Sequence, residues 1–321
     1  MKGLERIVFF GTPEFAVPSL EALLDSGREP ILVVSQPSRP SGRGRKLQAP
    51  PVARLAQRRG IPVLQPRRVR SKAFLDTMRE LRPQLAVVVA FGQIFPQKLL
   101  DIPDHGCINV HASLLPAYRG AAPIQAAIAA GEERTGVTIM KMDAGMDTGP
   151  MLGKAALEIG PEETAEELSG RLARLGGKIL LSTLEALEED RLRAEAQGEE
   201  GVSYAPQIRR EDGLVDWTVT AEELAGRLRA FTPWPGLTAV LRGERVKLLR
   251  AEALAADAGG GEAEGPSEAG RYLGLRGGRL AVRCGGGTVL GVGRLQRAGR
   301  KPLAARDFAN GERLVVGERF E

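Results

Sequence analysis

Apolar positions along this chain fall into short unbroken runs and longer runs at helical spacing, and the two kinds alternate. RIVFFG (6–11) is an apolar run closed by glycine, a strand pattern. TPEFAVPSLEALLDSG then predicts a helix, with Thr12 as N-cap, Pro13 at the first helical position and Gly27 as C-cap. ILVVSQ (31–36) predicts a strand, PPVARLAQRRG a helix over about 50–60, IPVLQP a short extended piece, AFLDTMRELRP a helix and QLAVVVAFG a strand buried on both faces. CINVH (107–111) predicts the next strand, AAPIQAAIAAG a helix, GVTIMKMD and PMLGKAALEI two further strands, and residues 163–190 a long helix. Such alternation predicts an α/β fold, a mostly parallel sheet with helices on both faces, whose ligands bind beyond the carboxyl ends of the strands.

After residue 190 the pattern changes. Residues 191–210 carry no sustained apolar period and predict a linker. VDWTVTAEELAGRLRAF supplies a strand and a helix. LTAVL, RVKLLRAE, RYLGLR, RLAVRC and TVLGVGRLQ are then separated by glycine-rich turns, the pattern of a small antiparallel barrel or sandwich. DAGGGEAEGPSEAG (257–270) reads as a flexible loop inside it.

A length of 321 residues favours two domains, and 43% hydrophobic with 26% charged residues is a globular composition. No run approaches the roughly 18 apolar residues of a membrane span, and MKGLERIVFF lacks the longer apolar core of a secretory signal, so a cytoplasmic protein is expected. Cys107 and Cys284 are read as reduced thiols rather than a disulfide. Net charge is only +5, but no Asp or Glu occurs from Pro30 to Leu75 or from Ala269 to Arg306, both rich in arginine. A basic run is often just a solvated face; two such stretches in a nearly balanced chain point to a polyanion surface.

Candidate chemistry centres on CINVH. Asparagine occurs only at Asn109 and Asn310, and histidine only at His105 and His111. Alternation along a strand puts Asn109 and His111 on one face near its carboxyl end. An amide donor beside a titratable imidazole suits a developing oxyanion and a proton transfer, although either residue can also serve a local structural bond. In KMDAGMDTGP (141–150), Asp143 and Asp147 flank a tight turn; they are either turn residues or a partner for His111. His105 and His111 lack metal-site spacing, and GTPEF is not a dinucleotide-binding glycine motif, so no metal and no nicotinamide are expected.

FFGTPEFAVPSLEALL, QPSRPSGRGRKLQAPPV, VVVAFGQIFP, GCINVHASLLPAYRGAAPIQAAI, TGVTIMKMDAGMDTGPML and AFTPWPG, in this order, resemble the formyltransferases that use 10-formyltetrahydrofolate, and among them the branch acting on methionyl-tRNA. The resemblance spans nearly the whole chain. It implies a Rossmann-like catalytic domain over residues 1–190, a linker over 191–210 and an OB-like tRNA-binding domain over 211–321. It implies catalytic roles for Asn109, His111 and Asp147, and a folate site at Phe91, Gly92, Gln93, Ile94, Ser113, Leu114, Leu115, Pro116 and the backbone around Asp143. SRPSGRGRKL matches a basic loop that contacts tRNA, with Arg39, Arg43, Arg45 and Lys46 as contacts and Arg43 foremost. The implied partners are methionyl-initiator tRNA and the folate cosubstrate, no membrane, and a monomeric state.

Two alternatives share parts of this pattern. Another folate-dependent formyl enzyme, acting on a glycinamide ribonucleotide or amino sugar or hydrolysing the donor, would keep Asn109, His111 and Asp147 but leave the basic segments without a purpose. A non-catalytic RNA-binding protein on the same fold would leave the three residues unexplained.

Overall fold

Apolar runs with no polar face become the central strands of a covered sheet, because only burial on both sides satisfies them. The computed structural model describes residues 3–41, 46–255 and 268–321. They form two units, one of residues 1–123, 134–158 and 168–205, the other of residues 124–133, 159–167 and 206–321.

In chain order the strands and helices begin with β1 (Ile7–Gly11), α1 (Val17–Asp25), β2 (Leu32–Val34), β3 (Arg39–Ser41), β4 (Lys46–Gln48), α2 (Pro51–Arg58), β5 (Val63–Leu64), α3 (Lys72–Leu81), β6 (Leu85–Val89) and α4 (Gln97–Leu100). They continue with β7 (Cys107–His111), β8 (Arg119–Gly120), α5 (Pro123–Ala129), β9 (Arg134–Lys141), β10 (Met151–Glu158), α6 (Ala165–Glu188) and β11 (Tyr204–Ala205). The main sheet has the order β10-β9-β7-β6-β1-β2-β5. Strands β5, β2, β1, β6 and β7 run parallel, whereas β9 and β10 are antiparallel additions at one edge. All residues of β1 and β6 are buried. The carboxyl ends of β1, β6 and β7 therefore open on one side, where Thr12, the 90–94 segment and the chain after His111 emerge.

Thr12 does not cap a helix as its position predicted. Its hydroxyl donates to Phe91 O at 2.9 Å and accepts from Gln36 N at 3.3 Å, tying the ends of three strands together, and α1 starts five residues later after a 3-10 turn. Gly27 does terminate α1 with φ +76. Helix α6 carries Gly176 and Gly177, each costing about 1 kcal/mol relative to alanine in a helix interior. A Cβ at Gly176 would stand 2.8 Å from Val110, and one at Gly177 3.0 Å from Pro18 O, so close packing on β7 and α1 explains both.

At the far end of α6, Glu188 accepts two bonds from Arg28 and one from Leu4 N, fastening the helix to the segments just before β1 and just after α1. The hydrogen bond from Arg28 holds the Glu188 carboxyl below the usual carboxylate range, against the opposing effect of burial. A lowered folded pKa gives stability that is complete above the unfolded glutamate pKa of about 4.3 and is lost as pH falls through the folded value. Glu188→Gln is thus expected to cost on the order of 1 kcal/mol near neutral pH, with a difference from the parent that shrinks below about pH 4. Thermal melts at the two pH values check this; an undiminished difference in acid would refute it.

Residues 191–205, expected as linker, stay with the first unit. Glu195 and Met151 exchange backbone hydrogen bonds at 2.7 and 2.8 Å, and β11 pairs with β8. Polar backbone and side-chain bonds hold this segment, which is why no apolar period announces it.

The second unit contains α7 (Ala221–Ala230), β12 (Leu237–Leu241), β13 (Glu244–Leu254), β14 (Tyr272–Arg276), β15 (Arg279–Arg283), β16 (Val289–Arg297), β17 (Leu303–Ala304) and α8 (Ala305–Glu312). Thr220 and Glu223 form a capping box at the start of α7. The antiparallel sheet runs β12-β13-β16-β15-β14, and the segment 318–321 bonds to Val240 on one edge and to Gly270 and Tyr272 on the other, closing it into a small barrel. Its core gathers Trp217, Leu224, Leu248, Leu290, Phe308 and Phe320. The expected strand around residue 215 is reduced to a single bridge from Leu214 to Thr238, and α8 was not expected from the sequence. Of the 257–270 stretch read as a loop, residues up to 267 lie outside the described residues.

Candidate active site

Strand β7 delivers both polar residues to one face. In register, Asn109 lies beside Val88 of β6 and Met140 of β9, and His111 beside Thr138. Asn109 is partly exposed, and its carboxamide has no hydrogen-bond partner among the described residues. An amide this far inside a strand normally finds a partner, so its free donor is available to a ligand. His111 is only 5% exposed. Its Nε2 lies 3.0 Å from Tyr118 O, and a carbonyl can only accept, so Nε2 carries the proton. Its Nδ1 lies 3.6 Å from Asp147 Oδ2, beyond a formed hydrogen bond but facing the carboxylate.

Asp147 adopts a left-handed φ of +55, uncommon for a residue with a Cβ. Its Oδ2 accepts from Gly120 N at 2.8 Å, and its backbone carbonyl accepts from Gln197 Nε2 at 2.8 Å. Asp143 behaves as the turn residue that its spacing allowed: its Oδ1 accepts from Gly145 N at 3.0 Å and from Thr148 Oγ1 at 2.8 Å. Of the two aspartates, only Asp147 approaches His111.

The residues expected around a folate divide by exposure. Ile94 is 93% exposed, Gly92 is exposed with φ +87, and Leu114 and Pro116 are half-buried, so these present surface at the strand ends. Phe91 is buried against Phe10 and Phe95 and offers its carbonyl to Thr12 and Gln36. The Gln93 amide bonds Val69 N and Pro66 O, fixing the neighbouring loop. Ser113 and Leu115 are buried; Ser113 Oγ donates to Ala117 O at 2.6 Å, and Thr138 Oγ1 bonds both Ser113 O and Leu115 N. These side chains shape the loops that the others present.

Arg39 is exposed on β3, which pairs with β4 as a short hairpin. Arg43 and Arg45 lie outside the described residues, and Lys46 is described only by its backbone in β4. The second unit holds a cleft of about 460 Å³ lined by Arg210, Arg245, Lys247, Gln296 and Arg297 among others. Arg297 is engaged by Glu244 and Glu312, whereas Arg210 and Arg245 have no acidic partner among the described residues. Trp234, 58% exposed, precedes Pro235 of the cleft wall. Burial pushes the Cys107 and Cys284 thiols up to about 12, so both stay protonated and unreactive. No group of three or more metal-ligating side chains occurs among the described residues.

Sequence reasoning did not find Gln197, Arg119 or the backbone of Tyr118 and Gly120, all of which build the site. They act through main-chain and amide bonds between distant segments, which leave no periodicity or charge pattern.

This chain belongs to the formyl transferase family. The family's formyl transferase model matches residues 5–184, and the model of the formyl transferase C-terminal domain matches residues 207–313. A methionyl-tRNA formyltransferase of Geobacter sulfurreducens is 50% identical over 100% of this chain and 98% of its own length, and one of Myxococcus xanthus is 46% identical over 97% and 96%. An N-formyltransferase from Helicobacter canadensis, solved with folinic acid and dTDP-3-aminofucose, shares the fold at 17% identity (TM-score 0.67, covering 91% of this chain and 99% of that one). A sugar 3N-formyl transferase solved with dTDP and 5-N-formyl-THF does so at 16% identity, with a TM-score of 0.65 and coverages of 93% and 99%.

Proposed function

We propose that the protein transfers the formyl group of 10-formyltetrahydrofolate to the α-amino group of methionyl-initiator tRNA, giving N-formylmethionyl-tRNA for translation initiation. The observation that carries this reading is the 50% identity to a methionyl-tRNA formyltransferase across both units. The site supplies matching chemistry. Apolar surface at Ile94, Leu114 and Pro116 suits the flat pterin of the donor, and the free Asn109 amide suits a carbonyl oxygen. The donor supplies the formyl carbon on N10, and the neutral amine of the acceptor forms the new C–N bond as the bond to N10 breaks.

Asn109 then donates to the oxyanion that develops on the formyl oxygen, a bond stronger in the transition state than in the ground state. His111, with Nε2 committed to Tyr118 O, presents Nδ1 beside Asp147. When protonated it donates from Nδ1 toward the same oxyanion, while Asp147 orients the ring and helps relay the proton from the attacking amine to N10. Asp143 contributes through the backbone of its turn.

The first unit, with residues 191–205 and Gln197 included, carries the chemistry in this reading, while the second unit, which holds residues 206–321, binds the tRNA backbone. Arg39, Arg43, Arg45 and Lys46 contact the acceptor end, and the cleft cations Arg210, Arg245 and Lys247 hold backbone phosphate, so binding weakens as salt rises. Asn109, His111 and Asp147 all come from one unit, which supports action as a monomer. No helix among the described residues is long and apolar enough to cross a membrane, and a cytoplasmic enzyme acting on tRNA accords with that.

Purified protein given 10-formyltetrahydrofolate and charged initiator tRNA is expected to produce N-formylmethionyl-tRNA, scored by acid-gel or mass analysis. Formylation of a sugar nucleotide alone, or release of formate without transfer, would refute the reading.

A further inference from the structure

Asp147 holds a left-handed backbone conformation that costs on the order of 1 kcal/mol or more and persists only where its surroundings over-determine it. The structure shows what does so. Gln197 Nε2 spends both protons on one loop, donating to Asp147 O at 2.8 Å and to Gly149 O at 2.7 Å. Gln197 Oε1 accepts from Arg119 Nε at 3.1 Å and Nη2 at 2.7 Å. A guanidinium can only donate and a carbonyl can only accept, so the orientation of this amide is unambiguous. Arg119 is 9% exposed, and among the described residues it has no carboxylate partner.

The bonds close a ring. Gly120, next to Arg119, donates its N–H to Asp147 Oδ2, and Tyr118 on the other side accepts from His111 Nε2. Three consecutive residues thus hold His111, Gln197 and Asp147 in register. Ser203 anchors the same stretch, its Oγ accepting from Tyr118 N and its carbonyl from Arg119 N, both at 2.9 Å. A Cβ at Gly120 would meet Ala205 O at 2.5 Å, so the approach of β11 requires a glycine there, at φ +124.

We propose that Gln197 is a positioning residue for Asp147 in formyl transfer, with Arg119 as the buried cation that fixes its carboxamide. The inference rests on the formyltransferase reading for its kinetic part and on geometry for the rest. Gln197→Glu keeps an acceptor for Arg119 but removes both donors to the Asp147 loop; Gln197→Met removes all four bonds. Both are expected to lower kcat roughly 10- to 100-fold while KM for either substrate moves less than about 3-fold, because the reacting groups are displaced while the surfaces that bind donor and tRNA stay in place. In an Asp147→Asn background, assayed by single turnover, Gln197→Glu is expected to add less than about 3-fold, since it acts through Asp147. Hydrogen exchange at the Gly120 amide is expected to accelerate in both variants.

Full kcat in Gln197→Glu, independent losses in the double variant, or unchanged Gly120 exchange would each overturn the proposal. Should Gln197→Met fail to fold, Gln197→Glu decides the matter, with Arg119 still satisfied. If the parent protein does not formylate methionyl-tRNA, the functional reading falls, and Gly120 exchange in Gln197→Glu still decides the positioning role.

Discussion

Asn109→Ala is expected to lower kcat by about 100- to 1,000-fold, the usual consequence of removing one donor to a developing oxyanion. The expectation follows from what the amide does not do. It makes no hydrogen bond among the described residues, and its strand neighbours Val88 and Met140 pair with it through the backbone. Truncation therefore strands no buried partner, and the melting temperature is expected to shift little. KM for donor and tRNA should stay near the parent values, because the oxyanion exists only in the transition state. Asp147→Asn makes a second, different lesion at the same site. An amide oxygen still accepts from Gly120 N, so the loop keeps its bond, but the charge facing His111 Nδ1 is gone. Its kcat is expected to fall on a similar scale, again roughly 100- to 1,000-fold, with tRNA binding intact. Steady-state and single-turnover kinetics beside a tRNA-binding titration check both. An Asn109→Ala enzyme with parental kcat, or an Asp147→Asn variant that loses donor binding at an unchanged single-turnover rate, would overturn the assigned roles.

The fold was legible wherever a segment's own residues decide its state. The apolar runs at Ile7–Gly11 and Leu85–Val89 have no polar face, so they had to be central strands, and parallel pairing follows from the helices between them. The turn at Gly27 and the strand end at His111 were readable for the same local reason. What escaped was set by distant partners. Thr12 looked like a helix cap because its neighbours fit one; Phe91 O, 79 residues away, claims its hydroxyl instead. Gln197 sits in a segment with no apolar period, and its four bonds reach residues 48 to 78 positions away. Asn109 and His111 could be placed on one face by alternation alone, whereas choosing Asp147 over Asp143 required the resemblance and then the geometry: Asp143 turns its carboxylate back on its own loop.

Phe10→Ala is expected to destabilise the first unit by about 3–5 kcal/mol, the range for deleting a fully buried phenylalanine side chain. Phe10 is completely buried on β1, between Val34 and Val88. Its ring meets Phe95 at 4.9 Å, Phe91 at 5.4 Å and Phe74 at 6.3 Å between centroids, all edge-on. Those three rings come from α3 and from the segment after β6, so they are not free to collapse into the space that alanine would leave, and a cavity remains. For a unit of this size the loss corresponds to a melting temperature lower by roughly 6–20 °C. Phe10→Leu keeps most of the volume and forfeits mainly the edge-to-face packing, so its cost should be nearer 1–2 kcal/mol, roughly a third of the alanine value. The lesion also reaches the site. The Phe91 ring rests on Phe10 while the Phe91 carbonyl is held by Thr12 and Gln36, and that residue begins the segment that exposes Gly92 and Ile94 at the strand ends. With the ring unsupported, KM for the folate donor is expected to rise at temperatures where the variant remains folded, while Asn109 and His111 on β7 keep kcat closer to the parental value. Thermal melts and donor titrations of the two variants decide it; equal stability of Phe10→Ala and parent, or a loss confined to kcat, would show that this aromatic cluster does not support the donor-facing loop.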